Sequence, residues 1–109
     1  MKSILIIGLG RFGAIMAKKL EEEGNNVLGV DIQEKRADDA VDFLTNIQIG
    51  DATDDRFIES LGVSNFDLCV VAVGGESFQT VLEITVLLKD NGAKFIMTRA
   101  NRDVHEKLL

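Results

Sequence analysis

"IIGLGRFG", residues 6–13, decides how this chain is to be read. It sets Gly8-x-Gly10-x-x-Gly13 directly behind an apolar run. That run, residues 3–8, is apolar almost throughout, as a strand buried on both faces requires. Beyond the glycines, residues 11–24 place Phe12, Ile15, Met16 and Leu20 at three-to-four spacing, the mark of an amphipathic helix. Strand, glycine turn and helix together form the unit that seats a nucleotide phosphate. Gly8 permits the tight turn, Gly10 lets a phosphate approach the backbone, and Gly13 lets the helix pack close to the strand. The helix N-terminus adds free N–H groups and a partial positive charge.

The same alternation continues along the chain. Residues 27–31, 46–50, 67–73 and 94–98 read as further strands, and 34–44, 54–61, 77–90 and 101–109 as helices. Ala37, Ala40, Val41 and Leu44 form the inward face of the second helix, and Phe57, Ile58 and Leu61 that of the third. Strands separated by helices imply right-handed crossovers and a parallel sheet. The expected fold is α/β: a Rossmann-like, doubly wound parallel sheet of about five strands in order 3-2-1-4-5, with helices on both faces. A ligand belongs at the switch point between strands 1 and 4.

The 109 residues suffice for one domain, and 46% are apolar, enough for a core. A formal net charge of −6 argues against nucleic acid as a partner, so an anionic ligand needs a local positive site. Cys69 is the lone cysteine, which rules out an internal disulfide. No run approaches the roughly 18 apolar residues of a membrane span.

The candidate ligand residues fall at the carboxyl ends of the strands. Arg11 stands inside the glycine turn with Phe12 beside it. A guanidinium there can grip phosphate oxygens in a fork. A cation in a first helical turn opposes the helix dipole, which favours a ligand role over a merely exposed side chain. Asp31 ends the second strand, followed by Ile32, where an acid accepts hydrogen bonds from adenosine ribose hydroxyls. A 2′-phosphate would meet a like charge there, which predicts discrimination against NADP. Asp51, Ala52 and Thr53 follow the third strand. Asp51 fits an acceptor for the adenine amino group and a turn residue equally, while Thr53 and Asp54 read first as caps of the next helix. Val73 and Gly74 follow the fourth strand and would present backbone to the nucleotide, with Ser77 as a cap for the long helix. Arg99 follows the fifth strand, able to reach a terminal phosphate or to lie in solvent.

A catalytic set is missing from this reading. His105 is the only histidine, far from the rim, and there is no tyrosine. Cys69 reads as an inert core thiol. No Cys/His cluster suits a metal, and no nucleophile–base pair is recognisable. The expectation is therefore nucleotide binding without catalysis. The competing readings are the cofactor domain of an NAD-dependent oxidoreductase, separated from its substrate domain, and an assembly module with a vestigial pocket.

The segments "IIGLGRFG", "VLGVDIQEKR", "GDATD", "LGVSNFDLCVVAVGG" and "RAN" together resemble the nucleotide-binding N-terminal half of the RCK/KTN family. That family regulates prokaryotic potassium channels and Trk/Ktr-type potassium uptake systems. The resemblance spans nearly the whole chain. It implies a cytoplasmic domain, peripheral to the membrane, that binds ATP, ADP, NAD or NADH and catalyses nothing. It implies homodimers or a higher ring that gates a membrane potassium channel or transporter subunit. It matches Gly8, Gly10 and Gly13 to the phosphate turn, Arg11 to a phosphate-binding arginine, Asp31 to the ribose acid, Asp51 and Ala52 to the adenine side, and Arg99 to a basic position near the phosphates. The family's sixth strand and C-terminal ligand-binding half do not follow, so the chain reads as a single domain cut before them.

Overall fold

A computed structural model describes residues 1–73 and 78–99. The strands are β1 (Ser3–Ile7), β2 (Asn26–Asp31), β3 (Asn46–Ile49), β4 (Leu68–Val71) and β5 (Ile96–Thr98). The helices are α1 (Arg11–Glu22), α2 (Glu34–Ala40), α3 (Asp55–Ser60) and α4 (Phe78–Asp90), with a short 3₁₀ turn at Val63–Asn65 before β4. All strand pairs are parallel, in order β3-β2-β1-β4-β5, as the sequence leads one to expect.

The apolar strands are explained by a core on each side of the sheet. In β1, Leu5 and Ile7 face one layer, with Val30, Cys69 and Val71 against α3 and α4. Ile4 and Ile6 face the other, with Val27 and Val70 against α1 and α2. Each strand of the centre therefore needs apolar residues at every position, not at alternate ones. Helix α1 ends where Gly24 takes a positive φ of 92° and its N–H bonds to the Glu21 carbonyl, while Asn25 N–H bonds to that of Leu20.

Several boundaries differ from the sequence expectation. Helix α2 stops at Ala40 because the chain tightens there. Val41 N–H bonds back to Asp38 and Phe43 N–H to Ala40, three residues earlier in each case. Val41 is thereby exposed, while Leu44 still reaches the core. Ile15 lies on the outer side of α1, 65% exposed, and Ala17 takes the buried position. β4 and β5 are shorter than the apolar runs containing them. The expected helix over 101–109, His105 within it, lies outside the described residues, as do Gly74 and Ser77.

Candidate functional site

The turn between β1 and α1 is shaped by two close approaches. Gly8 has φ 103°, and a β-carbon on it would stand 2.7 Å from the Ala72 carbonyl oxygen and 2.9 Å from Val73 N. Gly13 packs so tightly on the Gly8 carbonyl that no β-carbon fits. These glycines fold the turn against the end of β4, at the switch point between β1 and β4. Gly10 is different: a β-carbon there would meet nothing closer than the Arg36 guanidinium at 3.7 Å. The nearest group on that side is thus a cation and not packed backbone.

The turn's hydrogen-bond donors are divided. Gly8 N–H goes to the Val30 carbonyl (2.7 Å) and Leu9 N–H to Asp31 Oδ2 (2.8 Å). Helix α1 begins at Gly10 with no side-chain cap and no acidic residue in its first turn. Its first-turn donors and dipole therefore remain for an anion. Arg11 is exposed beside them, with no hydrogen bond or ion pair to another described residue.

Asp31 is the buried acid of the site, 4% exposed. Its Oδ2 accepts the Leu9 N–H and its Oδ1 the Gln33 N–H, both at 2.8 Å. Arg36 approaches Oδ2 at 3.8 Å. The carboxylate thus ties the glycine turn to the loop after β2. Two N–H bonds leave part of its acceptor capacity for a ribose hydroxyl.

A cleft of about 280 Å³ opens at the carboxyl ends of the strands. It brings together Gly8, Asp31, Ile32, Asp51, Ala52, Thr53 and Val73, with Gln33, Arg36, Gly50, Thr80 and Ile84. A second groove of about 470 Å³ holds Gly10 and Arg11 with Gln33, Lys35, Arg36 and Asp39. Gln33 and Arg36 line both. Asp51 Oδ1 accepts the backbone N–H (2.9 Å) and the hydroxyl (2.7 Å) of Thr53. Those bonds hold the Asp51 carboxyl below the usual aspartate range. Its other oxygen stays available at the cleft. Asp54, not Thr53, caps α3, its Oδ1 accepting the Arg56 N–H at 3.0 Å. Thr53 stands one residue before the cap position, and its hydroxyl donates to Asp51.

Phe12 and Arg99 meet each other, with the guanidinium 4.3 Å from the ring centroid. Cys69 is buried among core residues, and burial pushes its thiol up to about 11, which suits a packing role. Arg36 and Gln33 line the site without having been singled out in the sequence. The visible signal was the basic pair Lys35-Arg36 just past Asp31.

The TrkA-N domain family matches residues 4–109. The chain belongs to the TrkA-N family. Among the relatives of this TrkA-N domain is the Ktr system potassium uptake protein C of Bacillus subtilis, 40% identical over 108 residues, covering 99% of this chain and 48% of that protein. The chain thus spans about half the length of the curated relatives it matches. Among solved structures, the Kef C-terminal domain of Shewanella denitrificans in AMP-bound form has TM-score 0.74 and 27% identity, covering 90% of this chain and 58% of that one. The NAD(P)-binding domain of an exopolyphosphatase-related protein from Archaeoglobus fulgidus shares the fold, with TM-score 0.69 and 19% identity over 99% of this chain and 94% of that one. In this TrkA-N domain no described helix is long and apolar enough to cross a membrane.

Proposed function

We propose that this TrkA-N domain senses an adenine nucleotide for a potassium transport system. It binds ATP, ADP, NAD or NADH at the carboxyl edge of the sheet and performs no chemistry on it. The observation that carries the reading is the uncapped start of α1 at Gly10, open to a phosphate, beside the cleft closed by Asp31. Gly8, Gly10 and Gly13 form the phosphate turn, and Arg11 and Phe12 stand at its helix start. Arg11 takes the distal phosphates, with Arg99 near them. Asp31 takes the ribose, Ile32 flanks it, and Asp51, Ala52 and Thr53 take the adenine side. Val73 faces the nucleotide across the switch point. Relatives named as Ktr potassium uptake proteins support a membrane transporter subunit as partner. The domain then works at the cytoplasmic face, as a homodimer or a larger ring, and nucleotide exchange changes transport through that assembly.

Calorimetric titration with ATP, ADP, AMP, NAD and NADH tests this. Binding of at least one of these nucleotides is expected. Arg11→Ala is expected to weaken ATP by about tenfold, near 1.4 kcal/mol, and AMP by much less. Equal losses for ATP and AMP would mean that Arg11 shapes the turn and reads no phosphates. Silence with every nucleotide overturns the reading in favour of an assembly module.

A further inference from the structure

The two grooves meet at one side chain. The Arg36 guanidinium, 42% exposed, lies 3.8 Å from Asp31 Oδ2. It also overhangs Gly10, with Cζ 3.7 Å from where a β-carbon would stand. It therefore lies between the place of a ribose and the place of a backbone phosphate. Arg11 and Lys35 line the second groove with it, against one carboxylate, Asp39. In a chain of net charge −6 this is a local reversal of sign.

Asp31 alone would repel a phosphate on the ribose. Here its oxygens already accept the N–H groups of Leu9 and Gln33, and its charge faces Arg36. We propose that Arg36, with Lys35 and Arg11 beside it, forms a phosphomonoester subsite next to the ribose, so that the domain accepts adenine nucleotides phosphorylated on the 2′-oxygen. The inference rests on reading the carboxyl-edge cleft as a nucleotide site. The chemistry fits: a phosphomonoester carries about −1.5 to −2 charge at neutral pH, and a guanidinium meets it with a planar fork. In dinucleotide folds an arginine near the end of the second strand accommodates a 2′-phosphate where an acid would select the free hydroxyl, and here both groups are present, 3.8 Å apart.

The test is calorimetric titration of the full chain with AMP, adenosine 2′,5′-bisphosphate and adenosine 3′,5′-bisphosphate. The 2′,5′-isomer is expected to bind about tenfold or more tightly than AMP, the scale of a charge-assisted pair. Arg36→Gln should abolish that gain while moving AMP by less than about threefold. Arg36→Lys should keep part of it, since it retains charge but not the fork. Lys89→Gln removes one positive charge from α4, on the opposite face of the sheet, and should leave the gain intact. Asp31 keeps its two N–H donors in Arg36→Gln, so an unchanged melting temperature is expected. AMP binding with no gain for the 2′,5′-isomer overturns this inference alone. So does an equal fall for AMP and bisphosphate in Arg36→Gln. Equal gains for the 2′,5′- and 3′,5′-isomers overturn the 2′ assignment. If no nucleotide binds, the nucleotide reading falls, and this inference with it.

Discussion

On the proposed reading, Asp31 serves fold and ligand together. Its carboxylate accepts the buried Leu9 N–H and so fixes the glycine turn, while its remaining capacity faces the cleft. Asp31→Ala is therefore expected to act twice. Adenine-nucleotide affinity should fall by about 1–3 kcal/mol, the worth of a hydrogen bond to a charged group. Stability should fall by a similar amount, about 1–3 kcal/mol, because a buried N–H loses its acceptor. Calorimetry and thermal unfolding read the two separately, and a loss of stability with unchanged affinity would leave Asp31 as a latch only. The position of Asp31 was legible from its place at a strand end behind a glycine turn. Its bond to Leu9 was not, because it joins residues brought together only when β2 lies beside β1. Arg36 was only partly legible. The basic pair past Asp31 is visible, but the approach of Arg36 to Gly10 joins residues brought together only by the fold.

At the scale of elements, the glycines of the turn separate by what they touch. Gly13 holds α1 against the Gly8 carbonyl, so Gly13→Ala forces α1 away from β1. We expect a loss of about 1–3 kcal/mol or more, as for other overpacked sites, read by chemical denaturation. Gly10→Ala meets no obstacle in the fold and has an ordinary φ of −72°. It should cost about 1 kcal/mol or less as a poorer N-cap. It should nonetheless reduce nucleotide affinity, because the new methyl group stands where the phosphate approaches. Equal affinity for wild type and Gly10→Ala would show that the phosphate does not use this approach. The spacing of the three glycines was plain in the sequence, whereas their division of labour depends on which carbonyl lies opposite each one. The end of α2 was hidden similarly. Val41 fits the apolar period of the helix, yet the chain must turn there to bring Leu44 into the core and start β3.

For the whole molecule, the topology was legible because each buried strand is apolar on both faces and each crossover has helical spacing. What remained was how the ends of distant elements are tied. Asp67 Oδ2 accepts the Ser3 N–H at 2.8 Å, and Asp67 N–H reaches the Ser3 carbonyl at 2.7 Å, clamping the start of β1 to the start of β4. The Ser3 N–H lowers the Asp67 carboxyl from the usual 3.8. A carboxylate lowered on folding stabilises above its unfolded value and loses that contribution as pH falls through the folded one. Asp67→Asn should therefore melt lower than wild type near neutral pH, with the gap narrowing as pH falls below 3.8. Thermal unfolding across that range checks this, and a gap independent of pH would mean that the charge on Asp67 is irrelevant. The Arg99–Phe12 stack ties together another pair of distant ends. Arg99 follows the edge strand β5, and its N–H is anchored on the Val71 carbonyl of β4 at 3.0 Å. Its side chain crosses to Phe12 in the first turn of α1. The stack is thus a short bridge from the glycine turn to the edge of the sheet, so that a displacement of Phe12 would be felt at Arg99.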